Sequence, residues 1–185
     1  PLESVEDTDA AGKPLVLLAS TPEGYQSLCA LSSEIQGYPD REARMRLGLP
    51  LDVLSRHSNG LICLTGGLDG WTVHFLRTGR GDAGRTYIDR LVSIYGDRLY
   101  LGLEIQRTVD LAIAYQLAEL ARAVNRKTVV THPIYALDRA SASRLRLLEA
   151  IRQNCRLEEV PESRWLESSG GSGIEGRRHW LDPQR

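Results

Sequence analysis

The residues best placed to do chemistry are Glu104, Gln106 and His132. Glu104 and Gln106 sit two apart in the run Leu99 to Ile105, so on a strand they point to one side and Ile105 to the other. His132 follows the apolar run Thr128 to Thr131 and precedes Pro133, Ile134 and Tyr135. A carboxylate, an amide and an imidazole are ligands that suit a divalent cation. A catalytic metal needs at least three protein ligands and an open position. Only Asp138 or Asp110 offers a third. The alternatives stay open at this point: His132 caps or hydrogen-bonds a loop that the X-Pro bond holds extended, and Glu104 pairs with Arg107 or another Arg.

Other chemistries find weaker support. Thr65-Gly66-Gly67, after an apolar run, could bring backbone N–H groups to a phosphate, although two glycines at such a turn also serve packing. No GxSxG elbow and no P-loop GxxxxGK[ST] occurs. His57, His74 and His179 have no ligand spacing to one another. The candidate site is therefore a rim: Glu104 and His132 as metal ligands, with Gly66, Gly67, Gln106 and Arg107 around them. No catalytic residue is assigned.

These residues need elements to position them. Pro14 to Ala19, Leu61 to Thr65, Leu99 to Ile105 and Thr128 to Thr131 read as strands, the first two as continuous apolar runs of the buried parallel type. Helices are expected up to Gln36, where Ser20 or Thr21 with Pro22 and Glu23 forms a start and Gly37 a stop, and over about 51–57, 70–77, 83–95, 109–124 and 140–154. The stretch from Tyr38 to Gly48 is Arg-rich and reads as irregular. Helices alternating with strands predict an α/β fold with a parallel sheet, whose ligands gather at the C-terminal strand ends. Those ends are Ala19-Ser20, Thr65-Gly66-Gly67, Glu104 to Thr108, and Thr131-His132.

Composition sets outer limits. The 185 residues carry a net charge of −1, with 42% hydrophobic and 25% charged side chains. That is one ordinary globular domain, with no basic excess to argue for nucleic acid by composition. Of 23 cationic side chains, Lys13 and Lys127 are the two lysines. Such a skew fits phosphate contacts or a codon bias toward Arg. Cys29, Cys63 and Cys155 form no CxxC pair and fit reduced thiols in a cytoplasmic protein. No apolar run reaches the ~20 residues of a membrane span, and no signal-peptide pattern opens the chain. Beginning with Pro rather than Met, the sequence reads as a piece of a longer protein. Residues 1–13 form a polar segment, 14–160 the α/β domain and 161–185 a linker, with Ser168 to Gly173 of flexible composition.

Five segments in order resemble the PHP domain of bacterial DNA polymerase III alpha subunits. Pro14 to Leu31 (PLVLLASTPEGYQSLCAL) is similar to a strand of type HLxLLA and a helix opening GYxNLCxL. Leu51 to Gly67 (LDVLSRHSNGLICLTGG) resembles LxxLxxHSEGLIxLSGG, and Tyr95 to Leu101 with Leu103 to Arg107 resembles FGDRLYLELQRH. Val129 to Thr131 and Tyr135 to Leu137 fit VATNDVHYL, and Arg178 to Pro183 (RHWLDP) fits ERHLKSP. The wording is nearer the error-prone type of alpha subunit than the main replicase. The resemblance implies a partial or distorted (β/α)7 barrel with mainly parallel strands and, in active members, a metal cluster at the strand ends that uses an N-terminal HxH and a terminal DxH.

The departures from that pattern fall on the ligands. The chain begins after the region that would hold HxH. Pro14 stands at the His of HLxLLA, Thr108 at the His of LQRH, and Thr131 to Tyr135 is one residue short of TNDVHY and lacks its aspartate. What the resemblance implies is a scaffold segment with a degenerate metal site, in DNA replication or translesion synthesis. No cofactor is expected; a retained site would take Mn, Zn or Mg. The implied partners are the polymerase core, accessory replication or repair proteins and, through the whole protein, DNA. A metal-dependent phosphoesterase or 3'-5' exonuclease is the enzymatic alternative, and a protein-interaction module using Tyr38 to Arg46 or the 83–98 face is the other.

Overall fold

The computed structural model describes residues 12–105, 108–132, 134 and 139–160, with backbone alone for 139–143 and 146. The described strands are β1 (Val16–Ala19), β2 (Leu61–Leu64), β3 (Leu99–Glu104) and β4 (Lys127–Thr131), and the helices α1 (Pro22–Gln36), α2 (Arg41–Leu47), α3 (Leu51–Arg56), α4 (Trp71–Arg77), α5 (Gly81–Tyr95), α6 (Asp110–Ala123) and α7 (Arg139–Gln153). The chain is α/β, as its pattern of apolar runs predicts. It divides into two compact units, Pro1–Leu103 with Tyr115–Val130, and Glu104–Ala114 with Thr131–Arg185.

The sheet order is β1-β2-β3-β4. β2 and β3 run parallel, pairing Cys63 with Leu99 and Leu64 with Tyr100. β1 departs from the expected direction. It is antiparallel to β2, with Val16 opposite Leu64 and Ala19 opposite Leu61. The expectation that β1 is buried on both faces also fails. Leu15 and Leu17 pack on the core while Val16 and Leu18 stay 42% and 49% exposed. An apolar run alone does not separate a fully covered strand from an edge strand with one wet face.

Of the two caps the sequence offers α1, Ser20 and Thr21, the structure uses Thr21. Thr21 is extended and its hydroxyl accepts from Gly24 N–H at 3.2 Å, with Pro22 in the first turn. Its inner face brings Leu31 into the core, with Leu28 and Ile35 beside it. Gly24 is required by contact: a Cβ there would lie 2.1 Å from the Gly60 carbonyl oxygen, so helix and loop touch backbone to backbone. The Arg-rich stretch after Gly37 is not irregular. It contains α2, whose N-cap Asp40 accepts from Ala43 N–H at 3.0 Å. Seven helical residues make less than two apolar repeats, too few for periodicity to register.

The core of the first unit joins Leu61 and Cys63 of β2 and Leu99 and Leu101 of β3 to Trp71 and Phe75 of α4 and to Tyr87, Ile88, Leu91 and Tyr95 of α5. Each large apolar side chain buried there stabilises the fold by roughly 1.5–3 kcal/mol. Trp71 and Phe75, one helical turn apart, stack with ring centroids 5.5 Å apart. Arg98, at the entrance to β3, donates to the carbonyls of Ser58 at 2.9 Å and Leu61 at 3.0 Å. Those two bonds tie the entrance of β3 to the start of β2. On α6 the buried apolar positions are Ala114, Leu117 and Ala121, with Val124 just beyond. Tyr115, on the same helix, is 72% exposed.

Candidate functional site

Reversal of β1 changes what can converge. A parallel sheet puts every C-terminal strand end on one rim, but the register of β1 places Ala19 beside Leu61, where β2 begins. Ala19-Ser20 therefore lies at the end of the sheet opposite Thr65-Gly66-Gly67. Ser20 belongs to that other end by its bonds too: its N–H and its hydroxyl both donate to the Gly60 carbonyl, each at 2.9 Å.

At the far end of β2 the Thr65-Gly66-Gly67 turn is built for packing. Thr65 is buried, and its hydroxyl accepts from Gly102 N–H at 3.1 Å, joining the exit of β2 to β3. Gly66 is left-handed at φ 79°, and a Cβ there would lie 2.0 Å from the Pro14 carbonyl oxygen. Gly67 is buried at φ 59° and opens a 3-10 turn, Gly67–Asp69, leading into α4. Both glycines thus have structural reasons to be glycine.

Glu104 is the last residue of β3, and His132 follows the last residue of β4, the neighbouring strand. Both belong to the second compact unit and both are half-buried. The Nε2 atom of His132 is fully buried and has no hydrogen-bond partner among the described residues. Asp110 is buried at the start of α6. Even so, no three His, Cys, Asp or Glu side chains among the described residues form a group able to hold a metal ion. Gln106, Arg107 and Asp138 lie outside the described residues. The donors described here do not amount to the three-ligand set that a catalytic metal requires.

Thiol chemistry is disfavoured at Cys63. Burial pushes its thiol far above the usual range, so the reactive thiolate is not populated near neutrality. Tyr87 and Tyr95 beside it are pushed up for the same reason.

One arrangement escaped the sequence. His57, which ends α3, places Nε2 3.6 Å from the Glu34 carboxylate near the end of α1. The two border an open cleft of about 540 Å³ with Ser33, Tyr38 and Pro39. The Arg44 guanidinium covers the Tyr38 ring at 4.1 Å. Glu34 and His57 come from separate elements with no local spacing to mark them, so only folding pairs them.

Among the described residues no helix is long and apolar enough to cross a membrane. Comparison with known proteins agrees with the motif order. The DNA polymerase III subunit alpha of Thermus aquaticus is 30% identical over 158 residues, which is 82% of this chain and 12% of that protein. That of Caulobacter vibrioides (strain NA1000 / CB15N) is 32% identical over 95 residues, 51% of this chain and 8% of that protein. The chain thus spans a small fraction of the relatives it matches. A model of the PHP domain matches residues 3–108, more than half of the sequence, and on that ground the chain belongs to the PHP domain family.

Proposed function

We propose that the chain is the PHP-domain segment of a DNA polymerase III alpha-type protein, acting in DNA replication or translesion synthesis as a scaffold with a degenerate metal site. In this reading residues 14–160 form a partial (β/α)7 barrel, and 161–185 lead toward a polymerase core that, with accessory replication or repair proteins, is its partner. The observation that carries the reading is the combination of family membership with lost ligand types. By the motif resemblance, Pro14 and Thr108 stand where many members have histidines, and Thr131 to Tyr135 lacks the aspartate of the terminal DxH. Pro has no side-chain donor for a metal, and a Thr hydroxyl is a poor substitute for imidazole. Elemental analysis of the purified chain tests it. Zn, Mn and Fe are expected well below one equivalent, whereas a stoichiometric, tightly held ion rejects the degenerate site.

A metal-dependent phosphoesterase is the second reading, and one observation favours it. His132 holds a buried ring nitrogen without a hydrogen-bond partner among the described residues, as a ligand awaiting a cation would. A retained site would use Glu104 and His132 to hold a Mn, Zn or Mg ion that polarises a phosphate ester. It predicts manganese-stimulated hydrolysis that His132→Ala abolishes. Equal rates in the two proteins end this reading.

A further inference from the structure

The end of α6 and the start of β4 enclose a second cleft, within the first unit. The helix closes with Asn125 left-handed at φ 52°, and Arg126 N–H reaches back to the Ala121 carbonyl at 2.8 Å. This tight reversal sets Arg126, Lys127 and Thr128 alongside the last turn of the helix. Between them lies a space of about 410 Å³ floored by Ala118 and Ala121 and rimmed by Arg122, Arg126, Lys127 and Thr128. Three of these residues are cationic and none is acidic.

The carboxylates that engage the cations are weak competitors. Glu119 pairs with Arg122, and Asp97 with Arg126; the side chain of Glu119 is mostly exposed and that of Asp97 almost wholly so. The Glu119–Arg122 pair, exposed on both sides, contributes little and yields readily to another anion. Lys127 is exposed. Arg126 is different in kind. Its side chain is only 18% exposed, and its Nε is buried without a hydrogen-bond partner among the described residues. A guanidinium held out of water with an unused donor favours a multivalent oxyanion, which offers several acceptors and more than one charge. The Thr128 hydroxyl adds a neutral donor.

We propose that this cleft binds a phosphate group, supplied either by a free phosphate compound or by the backbone of a single-stranded nucleic acid. The site shares no residue with the Glu104 and His132 rim, so it stands or falls independently of the scaffold and metal readings.

The test uses the 185-residue chain in two arms. In the first, inorganic phosphate is titrated while the arginine Nε–H resonances are followed, with the Arg126 signal assigned by its loss in Arg126→Lys. A saturable shift of that signal is expected, larger than chloride produces at equal ionic strength. In the second, a fluorescent ten-nucleotide single strand is titrated across a range of salt. Arg126→Lys keeps the charge but removes the fork, and about tenfold weaker binding is expected. Lys127→Gln, at an exposed position that leaves the fold intact, lowers affinity and reduces the slope of log K against log salt by about one. Saturation by phosphate without strand binding assigns the free compound, and salt-dependent strand binding assigns the nucleic acid; either supports the site. Absence of both, or binding unchanged in Lys127→Gln and Arg126→Lys, overturns it.

Discussion

Gly66 illustrates how a residue suited to a phosphate cradle can also have a structural reason to be glycine. A glycine pair after a strand suggests a phosphate cradle, but the left-handed φ of 79° and the 2.0 Å approach to the Pro14 carbonyl account for Gly66 without a ligand. Gly66→Ala would add positive-φ strain and force β1 away from the exit of β2. A loss of at least ~2 kcal/mol is expected, readable as a lower midpoint in urea denaturation. A variant as stable as the parent would mean that the turn relaxes freely and that packing does not explain the glycine. His132 stands at the other extreme. Its position after β4 follows from the sequence pattern, but the lack of a hydrogen-bond partner for its Nε2 among the described residues is a fact of the fold.

At the scale of the element, α1 shows local chemistry legible in the chain to within one residue. Thr21 caps it, Pro22 enters its first turn, and Glu23 lies near the positive end of the helix dipole. The Glu23 carboxyl is held below its ordinary value of 4.5, first by a hydrogen bond from its own backbone N–H and then by one from the Thr21 hydroxyl. A depressed carboxylate pKa contributes stability above the unfolded value, and that contribution disappears as pH falls through the folded one. The stability gap between the parent and Glu23→Gln is therefore expected at pH 7 and should close below about pH 4.5, the ordinary value. Thr21→Ala removes the cap as well and should cost about 1 kcal/mol at neutral pH. Thermal melts of the three proteins across pH check both statements; a gap that persists in acid would contradict the first. α2 gave less away, because its N-cap Asp40 sits in a stretch whose arginines obscure a short apolar face. The arginines and lysine at the end of α6 were readable as charge, but their gathering around one cleft depends on the reversal at Asn125.

For the molecule as a whole, the terminal strands of the described sheet matter most. β1 and β4 are its outer members, and each exposes apolar side chains: Val16 and Leu18 on β1, and Val130, 75% exposed, on β4. An outer strand with unpaired backbone groups and wet apolar side chains is a template for association. The isolated chain is expected to self-associate with rising concentration, and Val16→Lys with Leu18→Lys should suppress this without unfolding it. Sedimentation velocity decides the point. A parent that remains monomeric at every concentration would show that these strands are not adhesive.

The sequence by itself determined the alternation of strands with the longer helices, the stop of α1 at Gly37 and the family, because these depend on periodicity, local backbone preference and residue identity. Tertiary structure alone decided the direction of β1, the face that Tyr115 presents and the pairing of Glu34 with His57. Strand direction leaves no trace in an apolar run, since either orientation buries the same alternate side chains. Only the register of β1 against β2 moved Ala19-Ser20 to the opposite end of the sheet.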